Sequence, residues 1–352
     1  MKKITWILGL ALLFTIQAYS QKKSKGNPLK NVAIEYLDNS FGVYDKLQKD
    51  IWANPELGFL EEYSSAQLQH HLEAKGFELE VGVAGMPTAF VATYGSGQPV
   101  IGILAEFDAL PGLSQDTVPY RKPLIQGGNG HGCGHNAFGV GSVAGAVAIS
   151  QWLETNNRQG TIKVFGTPAE EGGGGKVYMV RDGFFEGVDI VLDWHPATGN
   201  GVSVGTGTAI QMIDYRFYGR TAHAAGNPDK GRSALDGVEA MNYMVNLLRE
   251  HVPISSRIHY VIPDGGEAPN VVPDYARVSY YIRSPKREIL KELTEWVGQA
   301  AEGAAKGTQT TVESEIVSGF YERLNNRKLA ELVQKNLYMW IGAGIFFNPF
   351  FK

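Results

Sequence analysis

Three short apolar runs constrain this chain more than any other feature: residues 100–107 (VIGILAEF), 161–165 (TIKVF) and 189–194 (DIVLDW). Each has the length of a strand, and acidic or imidazole side chains follow at once. Helix-like stretches alternate with them, a Gly-, Ala- and Val-rich one at 138–153 and a shorter one at 176–182. Such alternation folds as an α/β unit with a largely parallel sheet and helices on its faces. It also brings Asp108, Glu170, Glu171 and His195 to the carboxyl ends of strands, the edge where α/β sheets bind ligands.

Between the first two runs lies GGNGHGCGHN, residues 127–136. On an extended backbone Cys133 and His135, two positions apart, point to the same side. A thiolate beside an imidazole suits a divalent transition metal such as zinc, and a carboxylate can complete the shell. The neighbouring acids Glu170 and Glu171 can divide the work, one ligating while the other takes a proton from a water that the ion has made more acidic. This is a hydrolase arrangement. A competing reading makes Cys133 a nucleophile with a histidine base. Residues 172–175 are glycines but lack the spacing of a phosphate-binding loop.

The rest of the chain divides into recognisable parts. Residues 1–20 carry Lys2 and Lys3, an apolar run over 4–16 and then small residues, the pattern of a signal peptide. This predicts export to the periplasm or beyond and no stable membrane span in the mature chain. Helices are expected at 33–53 and 61–75 and strands at 78–83 and 89–94, with His70 and His71 serving packing or a solvated face. From residue 210 the order becomes β-α-β-β-α-β, that of a ferredoxin-like unit inserted as a second domain. The expected division is signal 1–20, catalytic domain 21–209, second domain 210–320 and a return to the catalytic domain at 321–352. A length of 352 residues, 43% of them hydrophobic, supports two globular domains. A net charge of −4 without a basic cluster excludes nucleic acid as a partner. Cys133 is the only cysteine, so no internal disulfide forms.

The motifs EFDALPG, GHGCGHN, TPAEEGGGGK, DWHP, GRTAHAAGNPDKGRSALDG and APNVVPDYARVSYYIR stand in that order between about residues 33 and 336. The chain resembles the co-catalytic metallopeptidase and amidohydrolase family that includes carboxypeptidase G and aminoacylase, and within it the branch of p-aminobenzoyl-glutamate hydrolase and related dipeptidases. The resemblance implies a mainly parallel-sheet metallohydrolase domain with an inserted lid that also forms a homodimer. It implies up to two zinc or manganese ions per chain, held by Cys133, His135, Glu171 and His195, with Glu170 as the base. His223 would stabilise the oxyanion in the partner subunit, and Asn270 and Arg283 would hold the carboxylate of a small amide substrate. Asp108 takes a supporting role beside the ligands, His131 stands as an alternative ligand, and His251 and His259 are structural.

Two departures accompany the resemblance. Asn136 occupies a position that is Asp in most of the wider family. No histidine follows His259, so the last ligand that the family draws from near its C-terminus has no counterpart. The abrupt apolar run at 337–351 leads us to expect a truncated or frameshifted product whose authentic sequence ends near Asn336. Two functions follow: a metal-dependent hydrolase of an amide next to a free carboxylate, or a disabled relative that retains at most ligand binding.

Overall fold

A computed structural model describes residues 28–205 and 207–341; the expected signal peptide and most of the 337–351 run lie outside the described residues. The first sheet has the order β1-β2-β4-β3-β5, built from β1 (Glu78–Val81), β2 (Phe90–Ser96), β3 (Val100–Ala105), β4 (Gly160–Gly166) and β5 (Ile190–Leu192). Strand β3 runs parallel to both β4 and β5, whereas β2 is antiparallel to β1 and to β4. The sheet is therefore mixed, and the parallel half is the one that carries the site. Connection length explains the split. A parallel return needs a long crossover, supplied by helices before β4 and before β5, while β1 and β2 are joined by a short turn that permits only an antiparallel pair.

Alternation along the strands makes two apolar faces. Ile103 and Val164 join Phe90, Ile51, Leu68, Val143 and Val147 in the core beneath α1 (Pro28–Ala53), α2 (Glu62–Glu73) and α3 (His135–Thr155). Leu104 and Phe165 face the other way and pack with Met179 of α4 (Gly175–Arg181). Helix α3 can sit this close to the sheet because position 139 is glycine: a Cβ there would lie 2.6 Å from the carbonyl oxygen of Glu106.

The second sheet, order β7-β8-β6-β9, is antiparallel throughout. It comprises β6 (Ala209–Tyr218), β7 (Arg257–Asp264), β8 (Tyr275–Ser284) and β9 (Thr311–Phe320), with α5 (Ala234–Leu248) and α6 (Arg287–Thr308) completing the β-α-β-β-α-β order. Val238, Met241 and Val245 of α5 and Leu293 and Val297 of α6 bury Phe217, Val278 and Tyr280 of the sheet. Ser233 caps α5, its hydroxyl oxygen accepting the Asp236 amide at 3.1 Å. Helix α7 (Arg327–Ile341) follows and meets the first unit through Gln334, whose side-chain oxygen accepts the Val202 amide at 3.2 Å.

Candidate metal centre

The extended backbone expected at Cys133 and His135 does not form. Helix α3 begins at His135, and Gly134 in front of it has φ +77°, a left-handed turn that glycine adopts without strain. A tight turn, rather than strand alternation, makes the side chains converge. The Cys133 sulfur, a ring nitrogen of His135 and a ring nitrogen of His195 all lie within 4.8 Å of one another.

His135 is fully buried and held from two sides. Its Nδ1 lies 2.8 Å from Asp108 Oδ1, and the other oxygen of Asp108 accepts the Glu171 amide at 2.9 Å. One buried carboxylate thus orients an imidazole and the backbone of the acidic pair. On the opposite side, His135 Nε2 is 3.1 Å from Glu106 Oε2, while the second oxygen of Glu106 takes the Lys176 ammonium. His195 Nδ1 is 2.8 Å from the carbonyl oxygen of Pro196, an arrangement that assigns the proton to Nδ1 and frees Nε2 as a donor to metal.

Strand β4 delivers the acids through residues 167–169, and Glu170 turns to solvent while Glu171 is half-buried. A carboxylate oxygen of Glu170 lies within 4.8 Å of Glu106 and His135 donor atoms. Electrostatics reflect the crowding. Burial, then the hydrogen bond and charge of Glu171, push the Cys133 thiol up to about 12. Burial also raises the Glu106 carboxyl despite Lys176. For His135, burial pulls downward, but Asp108, Glu106 and Glu171 together hold the imidazole above its ordinary value. A thiol so raised stays protonated at neutral pH unless a bound cation draws off its proton, since the thiolate is the form that ligates metal or attacks as a nucleophile.

These residues fit a divalent cation. Glu106 Oε2 and His135 Nε2 are buried and face each other at 3.1 Å without forming an aligned hydrogen bond, and Glu171 Oε1 is buried without a hydrogen-bond partner. With Nδ1 committed to Asp108, a neutral His135 would turn its Nε2 lone pair on the Glu106 carboxylate, an unfavourable contact that either a proton or a metal cation between them relieves. The donor set of thiol, imidazoles and carboxylates is the one zinc and its neighbours take.

Comparison with known proteins identifies the lineage of this centre. The family model for peptidase family M20/M25/M40 matches residues 102–344. The chain is 42% identical over 296 residues to a p-aminobenzoyl-glutamate hydrolase subunit of Escherichia coli (strain K12), covering 84% of this chain and 62% of that protein. The chain belongs to peptidase family M20/M25/M40. It is also 31% identical to the Xaa-Arg dipeptidase of Mus musculus over 88% of its own length and 70% of that relative. Among solved structures, an aminobenzoyl-glutamate utilization protein from Klebsiella pneumoniae shares the fold with a TM-score of 0.66 at 21% identity, covering 86% of this chain and 81% of that one. Against the first of these relatives, this M20 chain spans 62% of the length.

The M20 chain also gives a physical reason for Asn136. Its side-chain amide donates to the carbonyl oxygen of Gln48 at 3.2 Å and to the Gln48 side-chain oxygen at 2.8 Å. An aspartate has no N–H to offer there. His131, the alternative ligand, is in neither donor cluster; burial pulls its imidazole down to about 4.

The remaining expected residues lie in the second unit. His223 is exposed, its Nδ1 accepting the amides of Ala225 at 3.2 Å and Gly226 at 3.1 Å. Its loop pairs with that of Asn270: the Ala224 amide donates to the Asn270 carbonyl at 3.0 Å, and His223 bridges Val271. Arg283 lies on β8 with a buried, unpartnered Nε. Among the described residues, no hydrogen bond or ion pair ties these three to the Cys133–His135 cluster. Sequence reasoning missed Glu106, Lys176 and Glu61. Glu106 had a signal, standing two positions before Asp108 at the same strand end; Lys176 ended the TPAEEGGGGK motif without a role.

Proposed function

We propose that the chain is a metal-dependent amidohydrolase that cleaves an amide bond next to a free carboxylate, in a p-aminobenzoyl-glutamate, dipeptide or N-acyl amino acid substrate. The observation that carries the reading is the convergence, within 4.8 Å, of ligand atoms of Cys133, His135 and His195 and of Glu106, His135 and a solvent-facing Glu170. The names of the relatives, a p-aminobenzoyl-glutamate hydrolase and a Xaa-Arg dipeptidase, support the substrate class.

Cys133, His135, Glu171 and His195 hold up to two divalent ions, zinc or manganese, while Asp108 orients His135 and Glu171. A cation bound there polarises the scissile carbonyl and acidifies water. Glu170 accepts a proton from the attacking water as its oxygen joins the carbonyl carbon, then delivers that proton to the leaving nitrogen as the C–N bond breaks. Residues 210–320 act as lid and as homodimer surface, so that His223 of the partner subunit donates to the developing oxyanion. Asn270 and Arg283 grip the substrate carboxylate, a task for which a guanidinium is well shaped. Residues 1–20 direct export.

Purified protein should contain metal by elemental analysis, and it should hydrolyse p-aminobenzoyl-glutamate or a dipeptide only until a chelator removes that metal. Full metal content with no turnover on any of the three substrate types would defeat the reading.

A further inference from the structure

Glu61 has no exposed surface, yet it is a carboxylate far in sequence from the centre. Its Oε1 accepts the Ala169 amide at 2.7 Å, and its Oε2 accepts the Thr88 hydroxyl at 3.0 Å. Ala169 has φ +56°, a left-handed conformation that a residue with a Cβ leaves unless its surroundings over-determine it. They do so here. The Ala169 carbonyl accepts the amides of Gly173 at 2.9 Å and Gly174 at 2.6 Å. Its Cβ is enclosed by glycines, since a Cβ at position 58 or 173 would come within 2.7 Å of it. On the amide side the brace is Glu61.

Glu170 and Glu171 are the next two residues, so a rotation about the Ala169 backbone carries both carboxylates with it. We infer that Glu61 is a positioning residue: by holding the Ala169 amide it pins the left-handed turn that aims Glu170 at substrate and Glu171 at metal. Burial pushes its carboxyl up to about 7, a cost that an apolar side chain in the same place would not bring. The role of Glu170 rests on the hydrolase reading above; that of Glu171 can be read by metal binding alone.

The test compares Glu61→Gln, Glu61→Met and the double variant Glu61→Met with Ala169→Gly. Each is titrated with Mn²⁺ by calorimetry without substrate, and kcat and KM are measured on p-aminobenzoyl-glutamate. Glutamine keeps an acceptor for the Ala169 amide, so both properties should stay within roughly threefold of wild type. Methionine fills the space without an acceptor, and kcat should fall roughly tenfold or more with KM moving less, while Mn²⁺ binding weakens by a similar factor. Glycine at 169 adopts the turn unaided, so the double variant should regain several-fold in both. The inference fails if Glu61→Met matches wild type, if Glu61→Gln is as damaged as Glu61→Met, or if the double variant is no better than Glu61→Met. Should wild type hydrolyse nothing, that result counts against the hydrolase reading, and the Mn²⁺ titrations alone decide for Glu61. Should Glu61→Met not fold, Glu61→Gln decides: retained Mn²⁺ affinity upholds the inference and a loss beyond roughly tenfold overturns it.

Discussion

Asp108 serves two groups with its two oxygens, His135 through one and the Glu171 amide through the other. Asparagine can accept only one of those hydrogen bonds, so Asp108→Asn should weaken metal binding by about 10–100-fold, measurable by competition with a chromogenic chelator. Glu170 is exposed and should behave differently: Glu170→Gln should keep its metal and lose about 10²–10⁴ in kcat. Glu61 links this chemistry to stability. Its carboxyl is raised from an ordinary 4.5 to about 7, so between those values the folded chain binds more protons than the unfolded one. Stability therefore falls as pH rises through that window and levels off above it. Glutamine removes the slope, so Glu61→Gln should match wild type near pH 4.5 and exceed it above pH 7 by at most about 3 kcal/mol in urea unfolding.

Among the elements, β4 matters most, because its last residue leads straight into the loop that carries Glu170 and Glu171. That residue is Gly166, and a Cβ there would lie 2.2 Å from the ring of Phe90 on the neighbouring strand. The ring is itself fully buried and stacks on Phe107, so it has no free direction to move. Gly166→Ala should cost about 1–3 kcal/mol by overpacking, seen as a lower melting temperature. Metal affinity should drop in the same variant, since displacing the strand end displaces Glu171. Helix α3 is coupled in the same way through Gly139, where the glycine lets its first turns approach the strand end that bears Glu106 and Asp108.

Across the whole molecule, an ion bound only by the folded chain stabilises it by mass action. Metal at about 100 times its dissociation constant should add about 2.7 kcal/mol, lost on chelation and visible in thermal melts. The proposed use of His223 in trans makes a sharper prediction. His223→Ala and Glu170→Gln should each be inactive, but mixed and allowed to exchange protomers they should recover up to about a quarter of wild-type turnover, because half the dimers then own one intact site. If His223 acts within its own chain, the mixture stays dead.

Local pattern was enough for much of this. Strand and helix order and the β-α-β-β-α-β unit follow from apolar period, which neighbouring residues encode. Motif order singles out Cys133, His135 and His195, but the turn at Gly134 that brings the first two together does not follow from that period. The mixed sheet was less legible, since pairing direction depends on connection geometry as well as on strand content. What only the tertiary structure decided are the long-range approaches. Glu61 meets Ala169 across 108 positions, and Asp108 reaches His135 across 27. Neither contact leaves a periodic trace in the chain, because each depends on how closely packed layers bring strand ends and loops together. The same holds for Glu106, whose meeting with His135 and Lys176 exists only once α3 has docked against β3 and β4 has delivered its loop.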